Sequence, residues 1–128
     1  MYFIFVSNDT EAVRFFEDVL HKADAKKILI TLANGYELIE FLQNVKEGES
    51  YPDLIVLTPK FLRLSGTDLL ELLKTDDLYR LIPVVMLLPD NNNDHEALCD
   101  RLRTECMLAP KNKNEWVGAV DKICAACS

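Results

Sequence analysis

Short apolar runs alternate with longer stretches in which apolar residues recur every three or four positions. The apolar runs predict strands at 2–6, 27–32, 54–58, 84–88 and 106–108. The longer stretches predict helices at 10–23, 36–45, 67–74, about 95–103, and 114–127. Asn8 and Glu11 have the spacing of a capping box at the first helix, and Asn34-Gly35 predicts a turn. The pattern therefore repeats strand and helix five times.

The predicted strands show almost no alternation of apolar and polar residues, which is typical of strands covered on both faces. Short connections and right-handed crossovers then favour an α/β fold, with a parallel sheet between two layers of helices. In such folds the functional residues follow the carboxyl ends of the strands. The residues at these positions are Ser7, Asn8, Asp9, Thr58, Leu88 and Ala109.

The composition limits the class of partner more than the kind of fold. With 128 residues, the chain fits one domain. Its net charge of −7 disfavours nucleic acid and anionic membranes as partners. The start "MYFIFVSND" lacks the basic flank of a signal peptide, and no apolar run reaches the roughly 20 residues that span a bilayer. We therefore expect a cytoplasmic protein.

Four cysteines leave two interpretations open. Cys99, Cys106, Cys124 and Cys127 are expected to be packed thiols in a reducing compartment. Cys124 and Cys127 form a C-x-x-C motif, which elsewhere serves redox chemistry or zinc binding. Here the motif ends a predicted helix, where the helix dipole does not lower a thiol pKa. Packed thiols are the favoured interpretation.

One long segment carries a resemblance to a known family. The stretch "PDLIVLTPKFLRLSGTDLLELLKTDDLYRLIPVVMLLP" resembles the receiver domains of two-component response regulators, with Gly66 eight residues beyond Thr58. The later "MLAP" is similar to the family's last strand, with Pro110 retained. The resemblance covers essentially the whole chain. It implies a flavodoxin-like (βα)5 sandwich whose parallel sheet has the strand order 2-1-3-4-5, as a single receiver-like domain over 1–128 without an output domain.

The resemblance also implies that the family's chemistry is missing. Receivers place an acidic pair, a phosphate-accepting aspartate, a switch hydroxyl, a lysine and an aromatic at fixed positions. This chain has, in that order, Ser7 with Asn8, then Thr58, Leu88, Ala109 and Cys106. Asp9 adjoins the acidic-pair position and is either a residual metal ligand or a residue that favours the helix start. We therefore expect a degenerate pseudo-receiver with no aspartyl phosphorylation, no metal or other cofactor and no enzymatic activity, held in one conformation.

Three functions remain as hypotheses. The first is a module in phosphorelay signalling that binds a histidine kinase, another regulator or itself through a face made of Leu98, Leu102, Cys106, Trp116 and Val120; alternatively, Trp116 and its neighbours form the inner face of the last helix. The second is a small-molecule or nucleotide sensor that uses the altered cleft, to which the loop "PDNNND" contributes. The third is phosphorylation of the Thr58 hydroxyl by a Ser/Thr kinase.

Overall fold

The strands and helices follow the predicted alternation closely. The computed structural model describes residues 2–23, 26–46, 48–58, 72–77, 79–88, 97, 100 and 104–125. The strands are β1 (Tyr2–Val6), β2 (Ile28–Leu32), β3 (Leu54–Leu57), β4 (Val84–Leu88) and β5 (Glu105–Leu108). The long helices are α1 (Thr10–Ala23), α2 (Gly35–Gln43) and α3 (Lys113–Ala125), and a 3₁₀ turn spans Tyr79–Leu81.

The five strands form one parallel sheet in the order β2-β1-β3-β4-β5. This confirms the flavodoxin-like fold and its strand order. The hydrophobic strands β3 and β4 lie inside the sheet and are buried along their whole length. The two edge strands, β2 and β5, are only partly buried.

Alternate residues of each strand face opposite helical layers. One layer, here called the α2 layer, packs Leu38 and Leu42 of α2 against every second strand residue. The opposite layer, here called the α1/α3 layer, packs both other long helices against the remaining strand residues. Its centre is aromatic, because Phe5, Phe16 and Trp116 contact one another with ring centroids 5.0 to 5.9 Å apart. Helices therefore cover both faces of the sheet, as predicted.

Each long helix begins at an Asp or Asn side chain that accepts hydrogen bonds from backbone N–H groups. At α1 this residue is Asp9, so the predicted capping box at Asn8 and Glu11 is wrong by one position. At α2 it is Asn34, whose Oδ1 accepts from the N–H of Glu37 at 3.0 Å, so Asn34-Gly35 starts a helix and is not a turn between strands. At α3 it is Asn112, which accepts from the N–H of Glu115 at 2.9 Å.

Several predictions concern residues outside the described ranges. These are the loop with Gly66, most of the helix at 67–74, the loop "PDNNND", most of the helix at 95–103, and Leu98, Leu102, Cys99 and Cys127. Residues 72–75 are helical and belong to the predicted third helix. Within the described ranges, no helix combines the length and apolarity needed to cross a bilayer.

Candidate functional site

The carboxyl ends of β1, β3, β4 and β5 form the candidate site. Ser7, Thr58 and Ala109 directly follow β1, β3 and β5, and Leu88 is the last residue of β4. Because the strands are parallel and in register, the sheet brings these four residues to one edge, as the sequence predicted. All four side chains are uncharged, so none can hold a cation by charge.

Thr58 makes a short hydrogen bond at the centre of this edge. Its Oγ1 donates to the carbonyl oxygen of Val6, the last residue of β1, at 2.6 Å. Thr58 is only partly buried, but its hydroxyl proton is committed to the neighbouring strand. A hydroxyl held in this way links β1 to β3 where the family keeps its phosphate-accepting residue.

The segment after β1 is occupied with starting helix α1. Ser7 is buried, its N–H donates to the carbonyl of Leu32 at 2.8 Å, and its Oγ accepts from the N–H of Asp9 at 3.2 Å. The Asp9 Oδ1 accepts from the N–H groups of Glu11 and Ala12, at 3.1 and 3.3 Å. These contacts are those of an N-cap residue, whose carboxylate also suits the positive end of the helix dipole. Asn8 and Asp9 are both exposed.

Leu88 and Ala109 close the other side of the edge with apolar side chains. The N–H of Ala109 donates to the carbonyl oxygen of Leu88 at 2.7 Å, which continues the pairing of β4 with β5. Leu88 is buried in the α2 layer, whereas Ala109 packs against the α1/α3 layer. Neither residue offers a hydroxyl or an ammonium group to a ligand.

A shallow groove of about 330 Å³ adjoins the site between α1 and the ends of β1 and β2. It is lined by Ser7, Asn8, Thr10, Val13, Arg14, Glu17 and Thr31. The loop 89–94, predicted to supply polar groups to a ligand, lies outside the described residues. The ligand-sensing hypothesis therefore stays a prediction.

Metal-binding residues are not brought together in the described part of the chain. No group of three His, Cys, Asp or Glu side chains there is placed to hold a metal ion. Cys106 and Cys124 are free thiols, both half-buried. They pack on opposite faces of the sheet, Cys106 against the α2 layer and Cys124 against the α1/α3 layer.

The predicted interaction face needs a correction at α3. Trp116 is only 2% exposed and Val120 is fully buried, both in the α1/α3 layer. They are core residues, so the alternative inner-face interpretation describes them, and neither can anchor a partner at the surface. The exposed apolar residues of this region are Leu108 and Val117, at 53% and 49%. Sequence reasoning missed Val117 because it adjoins Trp116, and helical spacing alone does not rank two neighbouring apolar residues.

The shifted pKa values lie away from this edge. Burial, with the charges of Asp53 and Glu49, raises the pKa of Tyr2, which begins β1 at the opposite edge of the sheet. Burial and the neighbouring Tyr51 and Asp76 raise the pKa of Tyr79. Burial alone lowers the pKa of Lys74. These shifts report local packing and do not identify an acid or base at the strand ends.

Comparison with known proteins gives the chain its relatives. No protein-family model matches the sequence. The chain is 30% identical to the response regulator Rcp1 of Synechocystis sp. over 103 residues, which are 79% of this chain and 69% of that protein. The solved structure of the Mn²⁺-bound form of Rcp1 has a TM-score of 0.82 at 26% identity and covers 95% of this chain and 90% of its own.

A second solved structure supports the fold alone. The phosphorylated cyanobacterial phytochrome response regulator RcpA has a TM-score of 0.83 at 24% identity, covering 95% of this chain and 89% of its own. The parallel sheet in the order 2-1-3-4-5 is the architecture that these structures share with this chain. Together, the fold and the identity to Rcp1 show that the chain belongs to the response regulators and has the fold of their receiver domain.

Proposed function

We propose that this chain is an atypical receiver domain that acts in two-component signalling by binding proteins. In this proposal it accepts no phosphoryl group on an aspartate, binds no Mg²⁺ and is not an enzyme. The main support is the bond from the Thr58 hydroxyl to the Val6 carbonyl at 2.6 Å, at the position where receivers keep their phosphate acceptor.

The Thr58 hydroxyl is a poor phosphate acceptor in this position. A threonine hydroxyl attacks phosphorus only after a base removes its proton. Here the proton points to a backbone carbonyl, which is not a base at neutral pH. The Asp9 carboxylate, the acidic group next in sequence to this edge, is occupied by the start of α1. The same geometry disfavours modification of Thr58 by a Ser/Thr kinase, because the hydroxyl would first have to leave β1.

The charges around Thr58 also disfavour a phosphoryl group. Mg²⁺ gives up its waters reluctantly and is usually bound through carboxylates, which Ser7 and Thr58 do not supply. Ala109, where receivers have a lysine, offers no positive charge to phosphoryl oxygens. Leu88 is buried in the α2 layer and cannot act as a switch hydroxyl. We infer that the domain keeps one conformation and does not alternate between two.

The relatives make the contrast informative. One solved relative is a Mn²⁺-bound response regulator and another is a phosphorylated one. In those proteins, the same overall fold accommodates a metal ion or a phosphoryl group. The proposed difference in this chain therefore lies in the side chains at the strand ends and not in the architecture.

The direct test is thermal unfolding with and without Mg²⁺ and beryllofluoride, an analogue of the phosphoryl group. A ligand that binds only the native state must stabilise it, at saturating concentration by several degrees in a domain of this size. We expect no shift for this chain. Intact-mass measurement after incubation with acetyl phosphate should likewise show no added phosphoryl group. A clear upward shift, or a mass increase that maps to the site, would contradict the proposal.

The matched control restores the family's residues. Ser7→Asp, Asn8→Asp, Thr58→Asp and Ala109→Lys are combined in one variant, which should gain stability from Mg²⁺ with beryllofluoride. If this variant folds and responds while the unaltered chain does not, the four side chains account for the difference. The mass measurement on the unaltered chain stands even if the variant fails to fold.

The protein partner is expected at β5 and α3, by the family resemblance. The exposed apolar side chains there are Leu108 and Val117, which replace Trp116 and Val120 in the proposed face. A histidine kinase, another regulator or a second copy of the chain are the candidates. Affinity capture from native extract should recover such a protein with the unaltered chain, and less of it with Leu108→Lys and Val117→Lys. Leu81→Lys, at a side chain 79% exposed elsewhere, is the matched control and should not reduce recovery.

A further inference from the structure

The outer edge of β2 is an apolar strand with an open side. β2 is the terminal strand of the sheet, and none of the described strands pairs with its outer side. Its five residues, ILITL, include no charge, proline or glycine, and none of them is fully buried. Ile28 at its start is 59% exposed. Proteins usually protect such an edge with a charge, a proline or a bulge, because unpaired N–H and C=O groups bind other strands.

The opposite edge of the sheet carries protection that β2 lacks. β5 begins with the exposed Glu105, and Pro110 follows two residues after the strand ends. A charged side chain and a nearby proline are common devices against edge-to-edge pairing. The difference between the two edges identifies β2 as the edge open to a further strand.

The hydrogen bonds to β1 show which groups of β2 are free to pair. The carbonyl oxygen of Leu32 accepts from the N–H of Ser7 in the segment after β1, at 2.8 Å. The N–H and C=O of one strand residue point to the same side, and this side alternates along the strand. Ile28, Ile30 and Leu32 therefore face β1, whereas Leu29 and Thr31 direct their backbone groups outward.

This arrangement permits an antiparallel pair of two β2 strands about a two-fold axis at Ile30. In that register, Leu29 of one copy lies opposite Thr31 of the other, and each pair exchanges both backbone hydrogen bonds. Ile30 lies opposite Ile30, and Ile28 opposite Leu32. These side chains are on the α2 side of the sheet, so the pair would join exposed apolar residues of the two copies.

The charges at the ends of β2 favour a second copy in this orientation. Lys26 and Lys27 precede the strand, and Glu37 lies in the first turn of α2, just after it. An antiparallel pair places the basic end of one copy beside the acidic end of the other. A parallel pair would instead place the lysines side by side. We propose that two copies of this chain associate through β2 and extend the sheet from five strands to ten.

The association should be weak, because five residues bury less surface than the roughly 1,200 Å² or more of a stable complex. The proposal does not depend on whether Thr58 accepts phosphate. Sedimentation equilibrium should show dimers whose fraction rises with protein concentration through the micromolar range or above. Amide hydrogen exchange gives the specific signal. The N–H groups of Leu29 and Thr31 should gain protection as the concentration rises, while that of Ile30 should stay protected throughout.

Thr31→Pro is the informative variant. Its N–H points outward, so proline removes a bond of the dimer and no bond to β1. The Thr31 Oγ1 has no hydrogen-bond partner, so no side-chain bond is lost either. The symmetric dimer loses two hydrogen bonds, and we expect its dissociation constant to rise at least about tenfold. Ile28→Lys is a second variant that keeps the backbone and should also weaken the dimer. Leu81→Lys is the matched control and should leave the dimer unchanged.

Three results would overturn the proposal. The first is a chain that stays monomeric at all concentrations. The second is a dimer whose dissociation constant is the same in Thr31→Pro and Ile28→Lys. The third is a dimer that is lost in Leu108→Lys and Val117→Lys instead, which would place the contact at β5 and α3.

Discussion

Thr58 illustrates how one residue changes what a strand end can do. A carboxylate at this position would have oxygens to offer to a metal and to phosphorus. The hydroxyl of Thr58 instead donates a hydrogen bond to the backbone of β1. The residue therefore contributes to the stability of the sheet, and this contribution can be measured directly.

Thr58→Val removes the hydroxyl and keeps the shape of the side chain. The Val6 carbonyl loses a donor, so we expect the free energy of unfolding to fall by about 1 kcal/mol. Thr58→Ser keeps the hydroxyl and should lose less. Urea unfolding of the three proteins measures the difference. Equal stability of Thr58→Val and the unaltered chain would show that the bond contributes nothing.

Asp9 allows a test between a helix cap and a metal ligand. Asp9→Ala should lower the free energy of unfolding by about 1 kcal/mol, because two N–H groups of α1 lose their acceptor. Asp9→Asn keeps the acceptor and should lose only part of this. Mg²⁺ should leave the unfolding temperature of all three proteins unchanged. A Mg²⁺ effect that disappears in Asp9→Ala would identify the carboxylate as a ligand.

Lys74 predicts a pH dependence. Burial lowers its pKa from the ordinary 10.5, so between the folded pKa and 10.5 the unfolded chain binds more protons than the folded one. Stability from this group therefore rises with pH across that window. Lys74→Met has no such group and should be the more stable protein at pH 7. Its advantage should narrow as the pH approaches 10. A constant difference between pH 7 and 10 in urea unfolding would contradict the burial of this charge.

At the scale of elements, the boundaries of helices proved less predictable than their existence. The apolar spacing placed α1 at the observed residues because its buried side chains recur along one face. It could not decide between Asn8 and Asp9 as the cap, since both residue types suit that role and the choice depends on where β1 releases the chain. The same limit applied to Asn34, whose neighbour Gly35 favoured a turn by sequence alone.

Helix α3 shows the limit for orientation. Trp116 and Val117 are both apolar and adjacent, and the pattern of Val120 and Ile123 is compatible with either one facing the core. The structure resolves the choice through the aromatic contacts of Trp116 with Phe5 and Phe16. An aromatic side chain of this size fits only where the layer leaves room for it.

Trp116→Ala and Val117→Ala should therefore differ sharply. Loss of Trp116 leaves a cavity in the α1/α3 layer and should cost about 3–5 kcal/mol. Loss of Val117 changes an exposed side chain and should stay within about 0.5 kcal/mol. Thermal and urea unfolding of both variants measure this. Similar losses at the two positions would mean that α3 is rotated from the orientation described.

At the scale of the molecule, the sequence carried most of the architecture and part of the site. Alternating periods predicted the strands and the helices described, and the family resemblance predicted the order of the sheet. The residues at the strand ends followed from the ends of the strands. Their contacts did not, because the bond from Thr58 to Val6 depends on how β1 and β3 align and on the rotamer of one side chain.

The two central strands are joined beyond their ladder at both ends. At the carboxyl end, Thr58 binds Val6. At the amino end, Asp53 accepts from the N–H of Tyr2 at 2.8 Å and its own N–H donates to the Tyr2 carbonyl at 2.9 Å. Neither strand can slide along the other without breaking contacts at both extremities. The amides of β1 and β3 should accordingly be the last in the protein to exchange with deuterium, and only when the whole domain opens.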